Sequence, residues 1–179
     1  MKKVMISGIC LAITLVSAAA FSAWDPNEFK ELDTKAQEAL AKFKETDSGV
    51  QGFLDAAAGY VVIPTVAKGG LGIGGARGKG ILYEDGTATA IVTLTQVTIG
   101  FQAGGQAYSE FLFFEDDATL DNFKNSNYEL GAQASAVAIT AGASADTAFK
   151  DGIAIFTQAK GGLMYEASVG GQKFKVELQ

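Results

Sequence analysis

The stretch "GYVVIPTVAKGGLGIGGARGKG", residues 59–80, decides the fold of this chain. Between residues 70 and 75 it satisfies the dinucleotide-binding spacing G-x-G-x-x-G. Such a site needs a helix directly after the glycines, because the helix N-terminus binds the pyrophosphate. Residues 81–83 (ILY) read instead as a strand, and no Ser or Thr follows Lys79 as a P-loop requires. The pattern therefore predicts a glycine-rich strand and no nucleotide site.

In an extended strand, alternate side chains point to opposite faces. One face of this segment then carries Gly70, Gly72, Gly74, Ala76, Gly78 and Gly80, and the other carries Leu71, Ile73, Arg77, Lys79 and Ile81. A similar bare face recurs at Ala132, Ala134, Ala136 and Ala138. Glycine is costly inside strands, so either a bulky group lies against the bare backbone or the sheet bends sharply. We expect a helix or aromatic side chains to fill these troughs, with a ligand groove as the alternative.

The flanking patterns predict three helices and a sheet. A capped amphipathic helix starts at Asp25 and runs to about Glu45, and a second helix starts at Ser48 and stops at Gly59. Asp117 is expected to cap a third helix through Phe123. Strands are predicted at Tyr60–Ile63, Thr87–Thr95, Val97–Gly104, Tyr108–Phe114, Tyr128–Ile139, Gly152–Thr157, Gly162–Ser168 and Phe174–Leu178.

These patterns together predict an α+β domain. Its N-terminal helices are expected to pack on a glycine-rich, strongly curved antiparallel sheet, whose curvature could make it barrel-like. The tight turn between the first two strands is expected at residues 84–86 (EDG).

The N-terminus resembles a secretory signal. Lys2 and Lys3 precede an uncharged run, Val4 to Val16, which leads into small residues. This run is shorter than the roughly 20 residues that a membrane-spanning helix needs. We therefore expect residues 1–23 to be a signal peptide cleaved between residues 20 and 23, and residues 24–179 to form one domain, exported to the periplasm or secreted.

Composition excludes most catalytic classes. The chain has no His, and its single Cys, Cys10, lies in the predicted signal. The usual general base, thiolate nucleophile and commonest metal ligand are thus missing, and the sequence predicts no catalytic residue, metal or cofactor. The acidic residues between 115 and 121 lack calcium-loop spacing and suit a helix start. Loss of the signal leaves a net charge of about −8, which disfavours nucleic acid as a partner.

The glycine-rich segment also resembles a known family. "AAAGYVVIPTVAKGGLGIGGARGKGILY", "LTQVTIGFQAGGQAYSEFLFFEDDATLDNF", "NYELGAQASAVA" and "AIFTQAKGGLMYEASVGG" are similar, in this order, to the SYLF-domain family, and the chain is most like its bacterial exported members. The resemblance runs from about Ser48 to Gly171. It implies a lipid-binding module: eukaryotic members bind phosphoinositide membranes, some also bind actin, and bacterial ones are thought to bind phospholipid.

The family's glycine motif falls on Gly69, Gly70, Gly72, Gly74 and Gly75. Arg77 and Lys79 stand where the family pattern has tyrosine and glutamate, which adds positive charge. We therefore predict peripheral binding to a phospholipid membrane, preferably an anionic one, by Lys68, Arg77 and Lys79 together with Leu71 and Ile73. The same cations could instead be solvated residues that protect a strand edge. The alternative function is an envelope protein that binds a polypeptide at its bare faces or at a sheet edge.

Overall fold

The computed structural model describes residues 25–125, 128–160 and 167–178. The predicted signal, residues 1–23, lies outside these ranges, as does most of the predicted strand Gly162–Ser168. The elements in chain order are α1 Pro26–Thr46, α2 Val50–Ala56, β1 Gly59–Glu84, β2 Thr87–Phe114, α3 Asp117–Asn125, β3 Tyr128–Glu129, β4 Ser135–Ala138, a 3₁₀ turn Ala143–Asp146, β5 Ile153–Ala159, β6 Ala167–Ser168 and β7 Lys173–Leu178. Within the described ranges, each helix is too short or too polar to cross a membrane.

Helix α1 forms as its sequence predicts. The carboxylate of Asp25 accepts a hydrogen bond from the backbone N–H of Asn27 at 2.9 Å, and Pro26 occupies the first helical position. The helix buries Ala36, Ala39 and Phe43, which recur at helical spacing and face the sheet. This amphipathic stripe anchors the helix on one face of the sheet.

Helix α2 is present, but Ser48 does not cap it. The helix begins at Val50, and the preceding Gly49 makes no side-chain cap. Asp47 instead holds the connection between α1 and α2 in place. Its carboxylate accepts hydrogen bonds from the backbone N–H groups of Gly49 (3.0 Å) and Ser144 (2.6 Å). Burial alone would raise the pKa of Asp47, but these hydrogen bonds outweigh it and hold the pKa below its usual value.

The cap of α3 is also one residue earlier than predicted. Asp116 accepts a hydrogen bond from the backbone N–H of Thr119 at 2.7 Å, whereas Asp117 is already helical. The reason is geometric, since an N-cap side chain reaches the N–H three residues ahead. Leu120 and Phe123 form the buried stripe of the helix, as expected.

A long β-hairpin replaces several of the predicted short strands. β1 and β2 pair antiparallel along almost their whole length, and their turn lies at Asp85 and Gly86, which both have positive φ. Pairing runs unbroken through the breaks expected within β2, at residue 96 and at residues 105–107. Register shifts lie at Ile63/Val66, Gly70/Gly72 and Leu82/Tyr83, and only the first coincides with an expected break. Bulges bend a strand without ending its pairing, and sequence patterns read them as strand ends.

The remaining strands pair with β2 or with each other, in the order β3-β7-β2-β5-β4-β6, while β1 pairs with the other side of β2. β7 pairs with the start of β2 and β5 with its end. The predicted curved, predominantly antiparallel α+β architecture is confirmed. One pair departs from it, because β4 and β5 run parallel. The predicted strand Tyr128–Ile139 divides into β3 and β4, since Ala134 N–H bonds back to the Gly131 carbonyl in a turn.

The glycines of β1 allow the strand to pack on itself. A Cβ at Gly80 would lie 2.4 Å from the Val62 carbonyl oxygen, and one at Gly78 would lie 2.8 Å from the Ile63 side chain. At Gly70 the obstacle is the Gly74 Cα, 2.2 Å away. Both expected causes of a bare face, close packing and a sharp bend, are therefore present.

The groups that lie against the bare glycine face of β1 differ from those expected. At Gly78 and Gly80 it is β1 itself, mainly Ile63, and not α1 or an aromatic ring. The alternative of a ligand groove is wrong at these two positions, because protein atoms occupy the space. The second bare face is partly filled as well, since Ala136 is buried in the core.

Two apolar cores lie on the two faces of the sheet. The concave core includes Val66, Ala76 and Leu82 of β1, closed by α3 and β7. The other core joins α1 and α2 to residues such as Ile81 and Ile91. Helix α1 therefore covers the face opposite to the bare glycines.

Candidate functional site

The middle of the β1–β2 hairpin extends beyond the rest of the sheet. β7 pairs with β2 only as far as Thr95, and β5 begins to pair with it at Tyr108. Residues 68–76 and 96–106, which we call the central ribbon, therefore pair only with each other among the described residues, since the Ala107 carbonyl already accepts a hydrogen bond from the Lys160 N–H. The sheet is only two strands wide here, and two strands have little surface on which to bury their side chains.

An apolar pair projects from one face of the ribbon. Ile73 is 72% exposed and Val97 is 78% exposed. Val97 lies directly opposite Gly75, which puts it on the same face as Ile73 two positions away along β1. This is also the face of Ile81, which α1 covers further along the strand. The two side chains form a patch that the helix does not reach.

The length of α1 explains why the patch is uncovered. With 21 residues, α1 is about 31 Å long, whereas the 26 residues of β1 would extend over about 86 Å. The first turn of the helix lies beside Lys79, whose ammonium group pairs with Glu28. Beyond that point α1 does not extend over the face, which continues to Arg77, Gly75 and Ile73 uncovered by any other described element.

The predicted cations are distributed over both faces. Arg77 is exposed beside the apolar patch and forms no ion pair within the described part of the chain. Lys79 shares this face but is engaged by Glu28. Lys68 follows Val66 at an interval of two and so belongs to the concave face. The structure thus places Arg77, Lys79 and Ile73 on one face of β1 and Lys68 on the other.

The other predicted positions shape the ribbon. Gly69, Gly70, Gly72, Gly74 and Gly75 all lie in it, and the register shift between Gly70 and Gly72 sets three residues of β2 opposite one of β1. The side chain of Leu71 falls outside what the structure describes. These glycines bend the ribbon, and their roles as binding residues stay a prediction.

The concave face holds a buried polar cluster that the sequence reading missed. Glu110 is fully buried, and one carboxylate oxygen accepts a hydrogen bond from the Gln172 amide at 3.0 Å. The same amide also lies 3.4 Å from the Tyr108 hydroxyl. Burial raises the pKa of Glu110 to about 8, although Gln172, the charge of Lys68 and Tyr108 each lower it. Glu110 is therefore mostly protonated at neutral pH.

Two sequence signals could have located these features. The pairing of Gly75 with Val97 follows once β1 and β2 are taken as one hairpin, and alternation then puts Val97 beside Ile73. Glu110 lies inside the predicted strand Tyr108–Phe114, whose other residues are mostly apolar. A charged residue inside a central strand is itself a sign of a buried cluster.

Comparison with known proteins fits this arrangement. Residues 95–178 match the Ysc84 family, which is described as "Las17-binding protein actin regulator". Beta cell expansion factor A from Aeromonas veronii is 24% identical over 147 residues, which cover 82% of this chain and 56% of that protein. The chain thus spans little more than half the length of this curated relative.

The resemblance found in the sequence is confirmed over residues 95–178, which match the SYLF (Ysc84) family. The family is described by what it binds and not by a reaction. The ribbon offers an apolar surface and a guanidinium group, both of which can contact a partner.

Proposed function

We propose that this SYLF-domain protein binds phospholipid membranes peripherally, through the exposed face of the central ribbon. The observation that supports the proposal is the pair Ile73 and Val97, exposed side by side at the part of the sheet that α1 does not cover. Apolar side chains rimmed by polar residues are typical of interaction surfaces.

The expected affinity is low. Full burial of an Ile or Val side chain contributes about 1.5–3 kcal/mol, and the two side chains are about three-quarters available, so together they contribute about 3 kcal/mol. Arg77 near an anionic surface adds about 1 kcal/mol. A total of about 4 kcal/mol corresponds to half-maximal binding at about 1 mM lipid.

Liposome flotation tests this mechanism. We expect the protein to float with anionic vesicles at millimolar lipid and to bind zwitterionic vesicles more weakly. The double variant Ile73→Ser/Val97→Ser should lose about 3 kcal/mol, a weakening of more than about 100-fold. Leu178→Ser is the matched control, because Leu178 is 60% exposed on β7, away from the ribbon, and its loss should change nothing.

The same assay can separate the contributions of the three cationic side chains to membrane binding. Arg77→Ala should reduce binding about fivefold and remove most of its dependence on salt. Because Lys79 pairs with Glu28 and Lys68 lies on the other face, the triple alanine variant of all three should bind much like Arg77→Ala. If a folded protein fails to float with either vesicle at several millimolar lipid, the mechanism is wrong.

A second candidate function is binding of a polypeptide at the free edge of β1. Within the described residues β1 pairs only with β2, so the outward-facing backbone groups in its exposed part, around Ala67 and Gly69, have no strand partner on the other edge. The family description, which names a protein partner, is compatible with this mode. A photo-crosslinker at exposed Ala67 should then capture a polypeptide, whereas one at exposed Gln51 of α2 should not.

We also propose that the protein is exported, as its first 23 residues suggest. Mass spectrometry of the protein recovered from the cell envelope should show a start between residues 21 and 24. Recovery of the full-length chain from the cytoplasm would contradict this.

A further inference from the structure

A cleft of about 600 Å³ lies between helix α1 and the sheet, apart from the central ribbon. Lys35 and Lys42 of α1 line one wall, and Thr65 and Lys160 line the other. The cleft shares no lining residue with the exposed patch of the ribbon.

The fold brings these groups together from distant parts of the chain. Lys35 and Lys42 are seven residues apart, so they lie on one side of α1 about 10 Å from each other. The opposite wall is formed in part by β1 at its register shift between Ile63 and Val66. This bulge is held in place because the buried hydroxyl of Ser109 donates a hydrogen bond to the Pro64 carbonyl at 2.9 Å.

The walls supply hydrogen-bond donors. The ammonium group of Lys160 donates to the Thr65 hydroxyl oxygen at 2.8 Å, which leaves the hydroxyl proton of Thr65 free to donate in turn. Among the described residues, Lys42 and Lys160 form no ion pair with a carboxylate. The ammonium group of Lys35 forms an ion pair with the Glu31 carboxylate at 2.6 Å.

The charge of the cleft is opposite to that of the protein. Three ammonium groups line it against one carboxylate, Glu38, and with Lys35 paired to Glu31 one positive charge remains in excess, although the chain has a net charge of −6. An excess of donors suits a ligand that only accepts hydrogen bonds, and an oxyanion with several oxygens meets this condition best. Lysines concentrated in a concave space also raise the local concentration of anions.

We infer that this cleft binds a phosphate group, either free in solution or carried by a lipid headgroup. Lys42 and Lys160 contact its oxygens from opposite walls, and the Thr65 hydroxyl supplies a further hydrogen bond. Both sources present the same chemistry, and the cleft recognises the phosphate group itself. The inference does not depend on membrane binding by the ribbon.

Titration of the ¹⁵N-labelled protein with inorganic phosphate tests the site. We expect saturable shifts of the backbone amides at Thr65 and Lys160. The variant Lys42→Ala/Lys160→Ala should weaken binding by at least about tenfold, because it removes two charge-assisted hydrogen bonds. The control Lys30→Ala/Lys44→Ala removes the same charge from exposed positions of α1 and should weaken binding less than about twofold.

A second arm identifies the source of the phosphate. Vesicles containing phosphatidic acid are compared with vesicles of phosphatidylcholine, for the wild type and both lysine variants. Loss of phosphatidic acid binding in the cleft variant alone supports a headgroup ligand, whereas binding of inorganic phosphate without this loss supports a soluble one. The ribbon variant Ile73→Ser/Val97→Ser should bind inorganic phosphate like the wild type, so the two proposals fail separately.

The inference is overturned by either of two results. One is the absence of saturable shifts with up to about 50 mM phosphate in a protein whose thermal unfolding is cooperative. The other is an equal loss of affinity in the cleft and control variants, which would mean that only the overall charge matters.

Discussion

Replacing Glu110 by glutamine is expected to stabilise the protein increasingly as the pH rises. Glu110 is fully buried in the concave core, and burial raises its pKa from 4.5 to about 8. Between these two values the folded protein retains a proton that the unfolded chain has released. The free energy of unfolding of the wild type therefore falls as the pH rises through this window.

The size of the effect follows from the two pKa values. Each pH unit contributes about 1.4 kcal/mol while only the unfolded chain is ionised, so the rise from 4.5 to about 8 corresponds to about 5 kcal/mol. This stability is fully present below pH 4.5 and is lost by about pH 8. Glutamine has nearly the same shape and cannot ionise, and its amide oxygen can still accept the hydrogen bond from Gln172.

Urea unfolding of both proteins at pH 5, 6.5 and 8 provides the measurement. The difference in unfolding free energy between variant and wild type should grow with pH, by at least about 2 kcal/mol over this range. Other titrating groups are common to both proteins and cancel in the difference. Glu45→Gln, at an exposed position of α1, is the matched control for the loss of a carboxylate.

A difference that stays constant from pH 5 to 8 would refute the reasoning about Glu110. A variant that loses stability relative to the wild type as the pH rises from 5 to 8 would refute it more strongly. Such a result would mean that Glu110 is ionised in the fold and that the charge of Lys68 outweighs the cost of burial.

Two further predictions concern the corners of the fold. Gly80→Ala should destabilise the protein by more than about 2 kcal/mol, because the new Cβ would lie 2.4 Å from the Val62 carbonyl oxygen. Gly52 in α2 has open space around it, so Gly52→Ala should instead raise the free energy of unfolding by about 0.5–1 kcal/mol in the same urea experiment. Asp47→Ala should cost about 1–3 kcal/mol at neutral pH, since the buried N–H of Ser144 loses its acceptor. Because the pKa of Asp47 is lowered, this cost should shrink as the pH falls below 3.8, which acid titration of both proteins would show.

Local patterns in the sequence predicted the elements and their faces well. The alternation of glycines in β1 places residues such as Ile73 and Arg77 on one face, and the structure has them there. The spacing of apolar residues in α1 likewise predicts its buried side. These features depend on a few neighbouring residues and on strand or helix geometry, which a single sequence contains.

Contacts between distant residues were not predictable in this way. The ion pair of Lys79 with Glu28 joins residues 51 positions apart, and it changes the role available to a predicted site residue. The packing of Gly78 and Gly80 against Ile63 of the same strand likewise depends on how the bulges bend β1. Alternation indicates that a face is bare, but only the path of the backbone decides what covers it.

The order of side chains along the α1 face argues that the ribbon patch is a surface for a partner. Under the helix the paired residues Ile81 and Ile91 are buried, and next along the strands come polar pairs, Lys79 with Thr93 and Arg77 with Thr95. After this polar rim the face becomes apolar again at Ile73 and Val97, in the open. If this end of the sheet only had to face water, the polar character would continue, as natural sheets protect their exposed strands with charged residues. A second apolar surface beyond a polar rim is the arrangement that the proposed membrane contact needs, and Arg77 at the rim would then face the anionic headgroups.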